Sequence, residues 1–222
     1  MKLAVDLQSP PGTAREASRG TPAVEAYLRD RRLSGGKVRF DLGCGAHKAA
    51  DAFGIDAARL SAVDLVHDLE RRPYPVPDDC ADEVVLHHVL EHFADPLPIL
   101  EEAWRILRHG GRLLIRTPHY SGPYAWKDPT HRRAFTSESF GYFGENAYSY
   151  YTRARFAVAS VRLKYFLEEE VWPRPHRLWG RAVQLLLDRH PAFAERFLCG
   201  LVGGIDELQV VLEAVKPGES AS

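Results

Sequence analysis

The sequence has few cysteines and no marked excess of charge of either sign. Among its 222 residues are three cysteines, with 29 basic against 30 acidic side chains, a formal net charge of −1. Cys44, Cys80 and Cys199 are far apart and form no Cys-x-x-Cys pair, so a disulfide framework is excluded. The balanced charge gives no general attraction to nucleic acid. We therefore expect a cytoplasmic protein that has no nucleic acid partner.

Long hydrophobic runs are also missing. No window reaches 18 uninterrupted apolar residues, and residues 1–12 do not have the charged and then apolar pattern of a secretory signal. We predict neither a membrane span nor export, and no membrane partner. Hydrophobic residues make up 45% and charged residues 27%, which is typical of a globular protein.

The length fits one well-packed domain, which we predict over residues 1–222. Within it, residues 1–22 are rich in Ser, Pro, Gly and Arg and are predicted to form a flexible arm or cap. Residues 38–118 are predicted as a cofactor-binding core, 119–201 as loops and helices that shape a substrate site, and 202–216 as a final strand.

Strands and helices alternate along the core. After a short amphipathic helix over 22–33, strands are predicted at Val38 to Leu42, Phe53 to Asp56, Ala62 to Val66, Asp82 to Leu86, and Arg112 to Thr117. We expect the fourth of these strands to be buried on both faces. This alternation forces right-handed crossovers and a parallel sheet.

One helix of this core has clear boundary signals. Asp95 and Pro96 predict its start, as N-cap and first helical residue, and Gly110-Gly111 predicts its end. Its buried face is predicted to comprise Leu97, Leu100, Trp104 and Leu107.

Beyond residue 151 the pattern predicts a sheet edge. Phe156 to Phe166 and Glu207 to Val215 alternate apolar and polar side chains and are expected to pair antiparallel, with a helical insertion near residues 172–201. The fold class is therefore α/β: a Rossmann-like parallel sheet with an antiparallel edge hairpin.

A glycine-rich turn follows the first strand at Asp41-Leu42-Gly43-Cys44-Gly45. In such sheets this turn lets the backbone approach a ligand closely. A dinucleotide-binding turn needs a further Gly at position 48, which is Lys here, and a long helix to hold a pyrophosphate. The pattern favours a cofactor without phosphate, such as S-adenosylmethionine. Asp56, at the end of the second strand, is placed to accept hydrogen bonds from ribose hydroxyls.

Several motifs together resemble the type 11 group of class I methyltransferases. The resemblance covers roughly residues 38–118 and rests on Phe40-Asp41-Leu42-Gly43-Cys44-Gly45, Gly54-Ile55-Asp56, Val63 to Leu69, Val89-Leu90-Glu91-His92 and Ile106 to Gly111. It implies a seven-stranded methyltransferase that uses S-adenosylmethionine. His47, where a further Gly often stands, and a shortened first helix depart from the family pattern and affect the local loop geometry.

The resemblance also implies a cofactor site. It assigns the methionine part and ribose of the cofactor to the turn, at Asp41, Gly43, Cys44 and Gly45, and the ribose hydroxyls to Asp56 after strand two. It assigns the adenine to Asp68 and Leu69 after strand three, and the surroundings of the sulfonium to His87 at the end of strand four.

Methyl transfer gains most of its rate from alignment of the nucleophile with the methyl group, and a base is needed only for a protonated nucleophile. Histidine is the usual base near neutral pH. The candidates are His88, His92, His119 and His131. A structural role that ties a helix to neighbouring backbone is the alternative for His92. Tyr120, Trp126 and Asp128, in the aromatic-rich stretch after strand five, are predicted to bind substrate.

The predicted function is methyl transfer from S-adenosylmethionine to an O or N nucleophile of a small molecule. We predict no metal ion, although His119, Asp128 and His131 offer an alternative set of ligands. A catalytically silent binding module of the same fold stays open as an alternative function. The apolar helical face of Trp179, Val183, Leu186 and Leu187 is expected to be core or a homodimer surface.

Overall fold

The computed structural model describes residues 20–144, 150–166, 171 and 173–218. Almost all of the predicted arm over residues 1–22 therefore lies outside the described residues. The described chain forms a seven-stranded sheet with helices packed on it.

Seven strands and four α-helices make up the described chain, together with short 3₁₀ turns and one turn of π-helix. In chain order the elements are α1 (Pro22–Ser34), β1 (Arg39–Leu42), β2 (Phe53–Asp56), β3 (Leu65–Val66), β4 (Ala81–His87), a 3₁₀ turn (Leu90–His92), α2 (Leu97–Ile106), β5 (Leu107–Pro118), 3₁₀ turns (Pro123–Ala125 and Ser139–Phe143), β6 (Phe156–Lys164), α3 (Arg174–Arg189), α4 (Pro191–Phe193), the π-helical turn (Ala194–Leu198) and β7 (Glu207–Ala214).

The strand order is β3-β2-β1-β4-β5-β7-β6. The first five strands in this order are parallel, and β7 lies antiparallel between β5 and β6. The predicted fold class and edge hairpin are confirmed. In a sheet with this topology, ligands bind beyond the carboxyl ends of the parallel strands.

One face of the sheet carries the hydrophobic core. The register places Phe40 beside Phe53 and Val84, all three side chains are buried, and the Tyr27 ring of helix α1 packs on the rings of Phe40 and Phe53. Helix α1 begins after Thr21, whose hydroxyl accepts the Val24 amide, and buries Val24 and Leu28.

Helix α2 differs from its prediction at both ends. It begins at Leu97 rather than Pro96, and the Asp95 carboxylate accepts the Leu97 amide. It ends at Ile106 because Leu107 already pairs with Ala81 in the sheet, so the predicted end at Gly110-Gly111 is wrong. The buried face also differs, comprising Ile99, Leu100, Glu102, Ala103 and Ile106.

The other face of the sheet is more open. The crossovers between β1, β2, β3 and β4 are built from turns, and residues 43–80, all of them described, contain no helix. Only Leu65 and Val66 of the predicted third strand form β3, because Val63 is held in a turn by Leu60. A cavity of about 380 Å³ opens on this face, where His87, Arg116 and Gln209 line it. Val85 of β4 is nevertheless buried.

The predicted helical insertion is present as α3, α4 and the π-helical turn. Val183 and Leu187 of α3 are buried, whereas Trp179 and Leu186 are exposed, so only half of the predicted apolar face belongs to the core. In the part of the chain that the structure describes, no helix has the length and apolar character needed to cross a membrane.

Candidate functional site

The glycine-rich turn lies at the carboxyl end of β1. Gly43 and Gly45 have positive φ angles of 74° and 52°, which glycine adopts without strain. A Cβ on Gly43 would lie 2.7 Å from a Val89 methyl group, whereas a Cβ on Gly45 would meet nothing within 4 Å. Gly43 is therefore required by packing against the end of β4, and Gly45 leaves space in front of the backbone for a ligand.

Aspartates hold this turn in place. One carboxylate oxygen of Asp56 accepts the Gly45 amide at 2.8 Å, and the other accepts the Ala58 amide at 2.8 Å. Each carboxylate oxygen has a second lone pair, so Asp56 can still accept hydrogen bonds from a ligand. Asp41 is buried and accepts the Ala49 amide at 2.7 Å. Asp41 therefore acts on the shape of the loop.

The Cys44 side chain faces the protein interior. It is buried, and a Cβ on Gly54 would lie 2.7 Å from its Sγ. Burial, together with the negative charges of Asp41 and Asp56, raises the pKa of the thiol to about 11. The thiol is therefore neutral near pH 7, and only the backbone of Cys44 is open to a role in the cofactor site.

Asp68 and Leu69 lie just beyond β3. The His67 amide donates to the Asp56 carbonyl at 2.9 Å, which keeps this segment beside Asp56. The Asp68 carboxylate is partly exposed and accepts the Glu70 amide at 2.9 Å. Leu69 is buried, and its carbonyl accepts the Tyr74 hydroxyl at 3.0 Å.

His87 is the last residue of β4, His88 follows it, and the pKa values of the two rings are shifted in opposite directions. Burial and the nearby charges of Arg116 and His88 lower the pKa of His87 to about 4, so its ring is neutral near pH 7. A hydrogen bond to Glu207 and the nearby negative charge of Glu91 raise the pKa of His88 to about 9. The His88 ring lies 3.0 Å from Glu207 and 3.3 Å from Glu91. His88 is therefore an imidazolium that joins two buried carboxylates.

His88 also has a strained backbone. Its φ is 54°, unusual for a residue with a side chain, and its amide bonds to the Arg116 carbonyl at 2.8 Å. The two carboxylates on its ring offset this strain. Burial raises the pKa of Glu207, but the hydrogen bonds from His88 and Gln209 outweigh burial and hold it below the usual value.

The predicted base His119 is fully enclosed. Its side chain is 0% exposed, and its Nδ1 lies 2.8 Å from the Ser121 hydroxyl. The Nε2 atom has no hydrogen bond among the described residues and lies 3.7 Å from a carboxylate oxygen of Glu195. His119 thus has no open path to a substrate in this conformation, because β5 runs directly into a covered loop.

His92 and His131 come together although 38 residues separate them in the chain. Their rings are 4.8 Å apart and nearly perpendicular. Glu91 lies beside them, and one ligand atom of each of these three residues falls within 4.8 Å of the others. Among the described residues this grouping differs from the alternative ligand set of His119, Asp128 and His131, since it includes neither His119 nor Asp128.

The predicted substrate residues are spread around the loop that follows β5. The Tyr120 hydroxyl contacts the Cys199 sulfur at 3.5 Å, and this contact, with burial, raises the pKa of Tyr120 to about 12. The Trp126 side chain is 70% exposed and its indole donates to the Tyr120 carbonyl. Asp128 accepts the amide and hydroxyl of Thr130.

Sequence reasoning missed three residues of this edge: Val89, Glu91 and Glu207. Glu91 belongs to a motif that pointed only to its neighbour His92, and Glu207 stood out only as the start of a strand. The sequence shows where these acidic residues stand relative to the strands, but it does not show which residue each of them will pair with. The contact between Val89 and Gly43 has no sequence signal.

Comparisons with known proteins show which proteins this chain is similar to. A family model described as "Methyltransferase domain" matches residues 40–115. A protein of Mycolicibacterium smegmatis named "Probable S-adenosylmethionine-dependent methyltransferase" is 30% identical over 125 residues, 49% of each chain. A "Ubiquinone biosynthesis O-methyltransferase" of Xylella fastidiosa is 31% identical over 113 residues, 41% of this chain and 46% of the relative. The chain spans about half the length of these relatives.

A solved structure supports the fold. The structure titled as a SAM-dependent methyltransferase from Archaeoglobus fulgidus has a TM-score of 0.50 at 16% identity, and covers 89% of this chain and 96% of its own. At this identity the likeness concerns the fold alone. Both sequence relatives are named as methyltransferases, and the name of the first states dependence on S-adenosylmethionine.

The residues at this edge fit that cofactor. The open space in front of Gly45 accommodates a ligand against the backbone, and the carboxylates of Asp56 and Asp68 suit ribose hydroxyls and a cationic group. The crossover from β1 to β2 has no helix whose N-terminus could hold a phosphate.

Alanine substitutions at Gly43 and Gly45 distinguish a glycine that packing requires from one that borders open space. Gly43→Ala should lower the free energy of unfolding by about 3 kcal/mol, because left-handed backbone strain adds to an overlap with Val89. Gly45→Ala should cost only about 1 kcal/mol, the strain alone. Urea unfolding measures both, and equal losses for the two variants would contradict the packing role of Gly43.

The pH dependence of stability tests the His88 imidazolium. A histidine whose folded pKa is raised stabilises the fold fully below its unfolded pKa, about 6.5, and that contribution is lost as the pH rises through about 9. Since the side chain is 40% exposed, the discounted effect is about 1 kcal/mol. The stability gap between wild type and His88→Gln should therefore narrow between pH 7 and pH 10.

His190→Gln, a change of an exposed histidine after α3, is the control for this experiment and should follow the wild-type profile. A gap between wild type and His88→Gln that stays constant from pH 7 to pH 10 would show that His88 carries no stabilising charge.

Proposed function

Since residues 40–115 belong to the class I S-adenosylmethionine-dependent methyltransferases, we propose that this chain methylates an O or N nucleophile of a small molecule. The observation that carries the proposal is the turn at Gly43 and Gly45, hydrogen-bonded to Asp56 and open in front of Gly45. The relative named for ubiquinone biosynthesis, an O-methyltransferase, is consistent with an oxygen acceptor.

The carboxyl ends of the strands would hold the cofactor. The backbone of Gly43 to Gly45 would contact the methionine part, Asp56 would accept the ribose hydroxyls, and Asp68 with Leu69 would border the adenine. The neutral ring of His87 would lie near the sulfonium without repelling it. When bound, S-adenosylmethionine supplies an electrophilic methyl group, so these residues need only position it.

A cavity beside the loop after β5 suits a small acceptor. It has a volume of about 580 Å³ and is lined by Tyr120, Glu138, Glu195 and Phe197, among others. Pockets of 300–1,000 Å³ that combine aromatic walls with a few polar groups are typical of small-molecule sites. Tyr120 follows β5 by two residues, so this cavity lies toward the edge of the sheet that holds the glycine turn.

The four candidate bases differ in what they can do. His88 is protonated up to about pH 9, so it cannot take a proton from an acceptor near neutral pH. His119 is enclosed and would act by positioning the loop around Ser121. His92 and His131 are partly exposed and are the two candidates for handling an acceptor proton.

A second function of another class is a cofactor-binding module without catalysis. The state of two candidate bases favours it, since His88 is protonated near neutral pH and His119 is enclosed. Incubation with methyl-labelled cofactor and a panel of phenols, amines and sugars separates the two, because only a methyltransferase transfers the label.

The Asp56→Ala variant tests the cofactor site. Loss of hydrogen bonds to two ribose hydroxyls should weaken binding of S-adenosylhomocysteine by about 2 kcal/mol, or roughly 30-fold. Calorimetric titration of the folded variant measures the change. Asp30→Ala, on the exposed surface of α1, is the matched control and should bind like the wild type. Equal affinity of the Asp56→Ala variant and the wild type would remove Asp56 from the site.

We also propose that the protein acts in the cytoplasm, where its three free cysteines would stay reduced.

We further propose that the chain forms a homodimer. The support for dimerisation is the exposed apolar side chains of α3 and the segment that follows it, namely Leu178, Trp179, Leu185, Leu186, Phe193 and Phe197. Replacing Leu178 and Leu185 by Glu should convert a dimer into a monomer in light scattering. A wild type that is monomeric at all concentrations would refute the dimer.

A further inference from the structure

We propose that Glu91, His92 and His131 form a binding site for a divalent transition metal ion, with Zn²⁺ as the representative case. The three residues bring two imidazoles and one carboxylate together, with one ligand atom of each within 4.8 Å of the others. Two histidines and one carboxylate are a ligand set that zinc, iron and manganese accept. The ion-binding site does not depend on the proposed methyl transfer.

The hydrogen bonds of His92 fix its tautomer. Its Nδ1 lies 2.9 Å from the Thr130 hydroxyl. That hydroxyl donates its own proton to the Asp128 carboxylate, at 2.7 Å, so it must accept from His92. Nδ1 of His92 therefore carries a hydrogen, and Nε2 is the ring nitrogen left to bind a metal ion. A chain from imidazole to hydroxyl to carboxylate is the kind of support that orients metal-binding histidines.

His131 is oriented in the same sense. Its Nδ1 lies 3.2 Å from the Ala125 carbonyl, which can only accept a hydrogen bond. Nδ1 again carries the hydrogen and leaves the Nε2 lone pair available. Nε2 is 3.9 Å from the Asp128 carboxylate, beyond hydrogen-bond distance. Both histidines therefore have their Nδ1 hydrogens engaged, and their Nε2 atoms lack a hydrogen-bond partner among the described residues.

The Glu91 carboxylate is also fixed by its neighbours. Glu91 is 1% exposed, and one of its oxygens accepts the Thr117 hydroxyl at 3.2 Å. The other oxygen makes no well-directed hydrogen bond within the described chain, although the charged His88 ring lies 3.3 Å away. A metal ion bound here would share the Glu91 carboxylate with the His88 ring.

The backbone keeps the histidine loop against Glu91. The amides of Arg132 and Arg133 donate to the Glu91 carbonyl at 2.7 and 3.2 Å. His131, one residue before this clamp, is thereby fixed beside the 3₁₀ turn that carries Glu91 and His92. With bonds of about 2.1 Å, tetrahedral ligand atoms lie about 3.4 Å apart. Side-chain shifts of about an ångström therefore suffice to close the site.

Three protein ligands leave at least one coordination position open, as in catalytic rather than structural zinc sites. If the proposed function holds, an acceptor hydroxyl could occupy that position and lose its proton more readily. Nε2 coordination would then remove His92 and His131 as bases, and the metal would replace them in activating the nucleophile.

Calorimetric titration of the chelator-treated full chain with Zn²⁺ tests the site. One ion per chain is expected to bind, and His92→Ala and His131→Ala should each weaken binding at least 100-fold. Thr130→Val keeps the side-chain shape but removes the acceptor for His92, and should cost 10-fold to 100-fold. His190→Ala is the control and should bind Zn²⁺ like the wild type. Co²⁺ in place of Zn²⁺ should give visible absorption bands that His131→Ala loses.

Wild type that binds Zn²⁺ no more tightly than folded His92→Ala or His131→Ala would overturn the proposal. Should either alanine variant fail to fold, unchanged affinity in Thr130→Val would count against it equally. S-adenosylhomocysteine binding, measured on the same samples, distinguishes the two claims. Its absence with Zn²⁺ bound would refute the cofactor site alone, and its presence without Zn²⁺ binding would refute the metal site alone.

Discussion

Hydrogen bonds from loop amides to aspartate carboxylates hold the carboxyl edge of this sheet together. Asp41 and Asp56 accept the amides of Ala49 and Gly45 in this loop region, at 2.7 and 2.8 Å. Because residues 43–80 contain no helix, these loops lack the regular hydrogen bonds of a helical crossover. The carboxylates supply acceptors in their place, and they leave the edge acidic. In the proposed function, the same bonds that shape the loops would also prepare the site for a cationic, phosphate-free cofactor.

A second set of charges lies where β4 ends. His88 joins Glu91, beside the loop of His131, to Glu207 at the start of β7. Through its ion pairs, His88 connects the proposed cofactor edge, the antiparallel hairpin and the proposed metal site. Its backbone is strained at this junction.

The sequence predicted the parallel core, the edge hairpin and the Gly43 turn because each depends on local periodicity or on a motif. It failed where distant residues decide the outcome. Helix α2 ends at Ile106 because Leu107 pairs with Ala81, which no helix-stop signal records. The burial of His119 and the meeting of His92 with His131 depend on how the loop after β5 folds back, and that is not encoded in spacing. The site roles of Gly43, Gly45 and Asp56 stay predictions until binding is measured.

The measurement that tests the central claim most directly is calorimetric titration of the wild-type chain with S-adenosylhomocysteine, with NADH in a parallel cell. The turn at Gly43 and Gly45, without a helix N-terminus behind it, predicts micromolar binding of S-adenosylhomocysteine at one molecule per chain, and no binding of NADH. Binding of NADH alone, or of neither ligand by a folded protein, would contradict the assignment of this sheet edge to S-adenosylmethionine.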